Sequence, residues 1–378
     1  MTALFESFTQ RGVTLKNRIV ISPMCTYSCA ADGLATDWHF AHYGRFAMGG
    51  AGMVMLEATS ILAEGRHCYS DLGIWGDEHI PQLRRIAQFI KAQNCVAAIQ
   101  LQHAGRKASA GRPWHGARPL GEEDIRLRGE HPWPVVGPSP IPYTEGAPVP
   151  SELTVGQMDE LKAAWVAATK RALAADFDVV EIHAAHGYLL NQFLSPLSNQ
   201  RSDRYGGDLA GRMRWPLEVV QAVRAAWPED KPLFVRVSSV DGTDGGWTLD
   251  ETVAFARELR ALGVDLVDCS SGGIGGAATM NRMARSPGFQ VPFAERVRTE
   301  AGIPTIAVGL IMTPELAAEI VDLERADLVA IGREVLVDPN WPSSARTHLQ
   351  TERGYTDWPG PSGWWLEKRA QILRSMNQ

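Results

Sequence analysis

The chain has 378 residues, 45% hydrophobic and 21% charged, with a formal net charge of −6. That length holds one large domain or two small ones, and the balance is that of an ordinary globular protein. An acidic chain without a basic cluster argues against nucleic acid or an anionic membrane as partner, and no apolar run nears the ~18 residues of a membrane span. The opening residues, Met1 to Glu6, lack the basic-then-apolar pattern of a secretory leader. Five scattered cysteines (Cys25, Cys29, Cys68, Cys95 and Cys269) include no Cys-x-x-Cys pair. A disulfide scaffold, a zinc ribbon and an iron–sulfur cluster are therefore not expected, and a reducing cytoplasm is.

Short apolar, β-branched runs recur along the chain. In order they are Arg18–Ser22, Gly52–Glu57, Val96–Leu101, Val179–His183, Leu233–Val237, Leu266–Ser270, Pro304–Val308 and Leu328–Ile331. Their apolarity is continuous rather than alternating, as in parallel strands covered on both faces. Helices are predicted between them. Thr154 to Gln157 opens one ending near Ala175, and the capping box Thr248 to Glu251 opens another running to about Leu262, with Gly263 as its stop. Thr313 precedes Pro314 at a third helix start. Eight such units predict an α/β fold, a (β/α)8 TIM barrel in a single domain over 1–378, with a doubly wound open sheet as the alternative.

About 80 residues separate the third strand from the fourth, far more than a barrel connection needs. The segment Gly111–Pro150 holds nine of the chain's 23 prolines, together with Trp114 and Trp133. It is read as an excursion, either a lid over one barrel mouth or a plain surface loop.

Barrel chemistry takes place at the C-terminal ends of the strands. There the sequence places Ser22-Pro23-Met24-Cys25-Thr26-Tyr27 after the first strand and Ala58-Thr59-Ser60 after the second. The third carries Gln100 and leads to His103, Arg106 and Lys107; the fourth ends in His183 and His186, with Tyr188 beyond. Arg236 interrupts the fifth, and the last three end in Ser271-Gly272-Gly273, Val308-Gly309 and Gly332-Arg333. Gly-rich turns beside an arginine form an anion site of the phosphate-binding kind. Taken singly, Arg236 and Cys25 also fit structural roles. His-x-x-His fits a metal pair, but no third ligand accompanies it. Structural histidines hydrogen-bonded in the barrel mouth are a second alternative; a paired donor site is the better reading, with two imidazole N–H groups on one substrate oxygen and Tyr188 delivering a proton.

On these residues the chain resembles the Old Yellow Enzyme family of flavin-dependent ene-reductases, in its thermophilic-like, xenobiotic-reductase branch. The matching stretches are NRIVISPMCTYS (17–28), EATS (57–60), IQLQHAGRKA (99–108) and EIHAAHGYLLNQFLSPLSNQRSDRYGG (181–207), then VRVS (235–238) and AIGREVLVDPNWP (330–342). The resemblance implies noncovalent FMN lined by Ser22, Pro23, Met24, Cys25, Ala58, Gln100 and Arg236. The phosphate would lie on Gly309, Gly332 and Arg333, with backbone from Ser271 to Gly273 as a further candidate and Lys107 near the ring edge or ribityl. It also implies NADPH or NADH as reductant in a ping-pong reaction on an enone or nitro compound. His183 and His186 would hold the substrate oxygen, Tyr188 would protonate carbon, Tyr27 would hydrogen-bond the substrate and Cys25 would tune the flavin.

Two features depart from that pattern or extend it. Val308 stands where relatives often carry an aromatic residue, which opens that side of the pocket. The C-terminal tail, 355–378, carries Trp364 and Trp365. By resemblance one of them, or less favourably Trp358, would reach a neighbouring subunit's substrate site in a homodimer or homotetramer; a helix docked on its own barrel is the alternative. Rival functions are a metal-dependent barrel lyase or hydrolase, a dienoyl-CoA reductase relative, and a flavin-binding protein without catalysis.

Overall fold

The computed structural model describes residues 2–275 and 285–376. Eight parallel strands close a barrel: β1 (Ile19–Ile21), β2 (Met53–Ser60), β3 (Val96–Gln102), β4 (Val179–Ala184), β5 (Leu233–Ser238), β6 (Leu266–Ser270), β7 (Thr305–Ala307) and β8 (Leu328–Ile331). Each expected run forms its strand. β8 returns to β1 with Val329 opposite Ile19 and Ile331 opposite Ile21, so no edge is left.

Two sets of side chains explain the continuous apolarity. Val20, Met53, Met55, Val96, Ala98, Val179, Phe234, Leu266, Ile306, Leu328 and Ala330 fill the lower barrel. Their alternates, such as Ile19, Val54, Ala97, Val180, Val235 and Val267, lie under the surrounding helices. Those helices include Val155–Ala174, Leu249–Ala261 and Pro314–Asp322, each with its threonine cap bonded as the sequence predicts: Thr154 accepts from the Gln157 amide, Thr248 from Glu251 and Thr313 from Leu316. No helix of the described residues is long and apolar enough to cross a membrane.

Two elements were not anticipated. A hairpin of Phe8–Gln10 with Val13–Leu15 sends Phe8, Val13 and Leu15 into the lower barrel cluster, as a plug at the end opposite the mouth. β2 also contains a bulge between Leu56 and Ala58. The extra residue, Glu57, shifts the alternation by one. Ala58 then faces inward opposite Gln100, while Glu57 points outward beneath the helix Asp37–Met48.

The 111–150 excursion has structure of its own. It contains a helix, Glu122–Arg128, and a strand, Val136–Gly137, that pairs with Ser151–Glu152. Buried Asp124 binds both Arg118 and Arg128, and Glu130 binds Arg112 and Arg128. The excursion returns to the mouth at several points. Trp114 meets Tyr27 edge-on at 5.8 Å, Trp133 and Val135 join a cluster with Tyr188 and Cys25, and Lys107 Nζ lies 4.7 Å from the Tyr143 ring centre.

Candidate active site

The rim of the barrel is shaped by backbone conformations that side chains seldom adopt. Tyr27, His186 and Leu310 have φ of 51°, 58° and 52°. Gly187 follows at φ 71°, and a Cβ there would lie 2.1 Å from the Gly273 carbonyl oxygen. The loops after β4 and β6 therefore touch backbone to backbone, and only glycine permits it.

Two adjoining cavities open inside this rim. The larger, ≈ 460 Å³, runs from Ser22, Pro23 and Met24 past Ser271–Gly273 to Val308, Gly309, Gly332 and Arg333. The smaller, ≈ 160 Å³, is lined by Pro23, Cys25, Ala58, Gln100, Lys107, His183, His186, Tyr188 and Arg236. Pro23, Lys107, His186 and Arg236 border both, so the two are compartments of one trough. Of the residues given a cofactor, catalytic or substrate role from the sequence, all but Tyr27, Trp364 and Trp365 border this trough, whereas His103 and Arg106, also placed at the strand ends, do not. Tyr27 stands just outside it, between His67 (ring centres 6.3 Å apart) and Trp114. Trp364 and Trp365 border neither cavity. They lie on the terminal helix Gly360–Met376, 56% and 69% exposed, as a T-shaped pair with centroids 4.5 Å apart.

The two histidines face each other rather than converging on a shared point. His183 Nδ1 accepts the Ala185 amide at 3.1 Å, which places the His183 proton on Nε2. That nitrogen is 3.3 Å from His186 Nδ1, and His186 Nε2 is 2.7 Å from Ser270 Oγ. The result is a relay, His183 to His186 to Ser270. Burial, followed for His183 by His186 and for both by the charges of Arg236 and Lys107, holds both imidazoles well below the usual histidine range, so both are neutral. Tyr188 packs 4.9 Å from the His183 ring. Its hydroxyl is pushed well up by burial and then by Cys25, Tyr27 and Asp71, so it keeps its proton. The Cys25 thiol is raised likewise by burial, Asp71 and Glu57.

Glu57, whose part in the site was not read from the sequence, anchors the loop that carries Cys25 and Tyr27. Oε2 accepts the Thr26 amide at 2.7 Å; Oε1 accepts the Thr26 and Tyr43 hydroxyls, each at 2.8 Å. Lys107 was also more constrained than expected. Its Nζ donates to the carbonyls of His186 (2.8 Å) and Gly273 (3.4 Å), tying the β4 and β6 loops together, and burial lowers its pKa to about 8. Arg285, Phe289 and Gln290 complete the larger cavity; Ser271 Oγ donates to Gln290 Oε1 at 2.8 Å. Among the described residues, the group with metal-ligand potential is His67, Cys68 and Asp71, not the His183–His186 pair. That group is bonded within itself: Cys68 Sγ donates to Asp71 Oδ1 at 3.2 Å and the His67 amide to Oδ2 at 2.7 Å.

The trough fits a flat ring joined to a phosphate. Gly272 leaves open space where a side chain would project, and Gly309 (φ 115°) and Gly332 keep the backbone clear beside Arg333. At the other end, the buried Arg236 Nε has no hydrogen-bond partner, although Asp268 Oδ2 lies 3.3 Å away, and Gln100 offers its amide. These residues fit FMN: Gly309, Gly332 and Arg333 would hold its phosphate, and Gln100 and Arg236 would face its ring.

A parallel barrel with an anion cradle beside a slot of buried hydrogen-bond donors fits a flavin oxidoreductase. Residues 3–352 match the model of the NADH:flavin oxidoreductase / NADH oxidase family, and the chain belongs to that family. It is 44% identical over 363 residues to an NADPH dehydrogenase of Geobacillus thermodenitrificans, covering 94% of this chain and 99% of that one. Among solved structures, morphinone reductase superposes with a TM-score of 0.76 at 26% identity, covering 92% of this chain and 90% of that one. An Old Yellow Enzyme homologue from Zymomonas mobilis shares the fold, with a TM-score of 0.74 at 24% identity and 92% and 93% coverage. The resemblance read from the motifs is borne out. The protein is an oxidoreductase that uses FMN and a reduced nicotinamide.

Proposed function

We propose that the enzyme reduces the activated C=C bond of α,β-unsaturated carbonyl compounds, and nitro compounds as a second class, in a ping-pong cycle. The reading is carried by the grouping of neutral His183 and His186, protonated Tyr188, and the Gln100–Arg236 pair around one ≈ 160 Å³ cavity. Bound FMN supplies the two-electron relay between nicotinamide and substrate. A substrate carbonyl oxygen takes the N–H of His183 Nε2, displacing His186 Nδ1 from it. His186 then turns from Ser270 to give a second N–H. Both donors strengthen as negative charge builds on that oxygen, and their neutrality spares the site a like charge beside Arg236 and Lys107. Tyr188 passes its hydroxyl proton to the carbon next to the carbonyl. Its raised pKa keeps the proton in place until a carbanion-like carbon is present to take it.

Tyr27, beside Trp114, adds a hydrogen bond to the substrate, and the excursion around Trp114 and Trp133 acts as a lid that excludes water. In an oligomer, Trp364 or Trp365 of one copy reaches the mouth of the next. Stopped-flow kinetics of Tyr188→Phe test the central assignment. FMN binding and reduction by NADPH should be unchanged, while reoxidation by cyclohexenone slows by about 100-fold or more, the scale of general acid catalysis. Reoxidation at the wild-type rate would remove Tyr188 from this role.

A further inference from the structure

Four polar residues stand inside the barrel above its apolar layer as two neighbouring pairs, offset by two residues between β4 and β5, where Glu181 faces Phe234 and His183 faces Arg236. Gln100 on β3 stands opposite Glu181 on β4, and Arg236 on β5 stands opposite Asp268 on β6. All are closed to solvent: Glu181 is 0% exposed, Asp268 1%, Gln100 2% and Arg236 6%. Gln100 Nε2 donates to Glu181 Oε1 at 2.7 Å, and Arg236 Nε is 3.3 Å from Asp268 Oδ2. Glu181 Oε2 and Asp268 Oδ1 have no hydrogen-bond partner. The two pairs therefore hold two carboxyls and one guanidinium. If both carboxyls ionised, a net negative charge would sit buried beside the residues that face the ring, with two carboxylate oxygens unsatisfied.

We propose that Glu181 is a proton store beneath the cofactor ring: of the two carboxyls it holds the proton while Asp268 is ionised against Arg236, and at high pH, where the oxidised enzyme has lost that proton, Glu181 regains one from solvent when the ring is reduced. The proposal rests on the placement of FMN over Arg236. Hydride delivery from reduced nicotinamide brings two electrons and one proton, adding one negative charge above these pairs. The balancing proton comes from water and forms the O–H bond of the Glu181 carboxyl; no other bond changes. The groups facing Glu181 are neutral Gln100 from β3, Arg236 from β5 and Asp268 from β6, with His183 and Lys107 lining the cavity above. Burial and then the Asp268 charge push the Glu181 carboxyl up to about 8, against the pull of Arg236 and Gln100. Arg236 is thus half of an internal ion pair, and its charge toward the ring is kept whole by the protonation of Glu181.

The test is the FMN midpoint potential of the holoenzyme from about pH 6 to about pH 10. One proton per two electrons moves the potential by about 30 mV per pH unit, and two protons by about 60 mV. Wild type should follow the shallow slope below about pH 8 and the steep one above it. Glu181→Gln should keep the shallow slope throughout. Asp268→Asn, which removes the neighbouring charge, should move the break to lower pH. In reduced-minus-oxidised infrared spectra above the break, a carboxylic acid C=O band should appear in wild type and in Lys107→Met, and not in Glu181→Gln. A break that survives in Glu181→Gln overturns the proposal, and its loss in Lys107→Met would then assign the proton to Lys107. A wild-type line without a break, or an Asp268→Asn break that does not move, overturns it as well. Failure of wild type to take up FMN would be seen in the visible spectrum beforehand, and would refute the cofactor placement instead.

Discussion

Replacing Glu57 by glutamine should remove a pH dependence of stability that its burial imposes. Glu57 is fully enclosed, and burial raises its carboxyl from 4.5 to about 7 against the opposing bonds from Thr26 and Tyr43. The folded-state pKa lies above the unfolded one, so the stability that goes with the protonated carboxyl is complete below 4.5. It falls as pH rises toward about 7 and is flat beyond. At about 1.4 kcal/mol per pKa unit, the loss between those limits is about 3 kcal/mol. A glutamine can turn its oxygen to the Thr26 amide and its NH2 to the Thr26 and Tyr43 hydroxyls, which can rotate to accept. Urea unfolding of wild type and Glu57→Gln at about pH 5 and about pH 8, with FMN held constant, measures the difference. Wild type should lose about 2.5 kcal/mol more than the variant across that step, because the lower pH already lies above the unfolded value. Equal losses would show that Glu57 is not the titrating group, and that its bonds to the Cys25–Tyr27 loop hold in one charge state throughout.

Two further outcomes follow from the rim. Gly187→Ala places a methyl 2.1 Å from the Gly273 oxygen at φ 71°, and should lower stability by about 3 kcal/mol or more; an unchanged urea midpoint would contradict the contact between the β4 and β6 loops. Arg333→Ala removes a guanidinium from the glycine cradle and should weaken FMN binding by about 10- to 100-fold, read by fluorescence titration of apoprotein; unchanged affinity would place the phosphate elsewhere.

The barrel was legible because each strand is buried on both faces and so advertises itself as an unbroken β-branched run. The helices announced themselves through threonine caps whose bonds are local. The Phe8–Leu15 hairpin was not legible, because three-residue strands are too short to show a period. Nor was the part played by Glu57. One inserted residue in β2 turns it from the barrel interior to the outside, and no sequence pattern marks that bulge. The site residues could be gathered from strand ends, since the fold brings all such ends to one rim. The order of proton sharing between His183, His186 and Ser270 could not, because it depends on which ring nitrogen meets the Ala185 amide. Arg285 and Gln290 lie well past the end of β6, where sequence spacing gives no cue.

Tyr27, His186 and Leu310 all hold backbone angles that glycine or asparagine would adopt with less strain. Each such position costs about 1–3 kcal/mol, which the surrounding barrel must offset. Selection for heat resistance alone would therefore act against these three side chains as it would against Arg11, Asp176 and Glu324, which hold the same backbone region away from the mouth. A thermostable descendant that kept all three would have gained its stability elsewhere, at the barrel floor or in the helical shell. Where stabilising substitutions fall in a mutational library would thus mark out, without any assay of turnover, which part of this scaffold is held for chemistry.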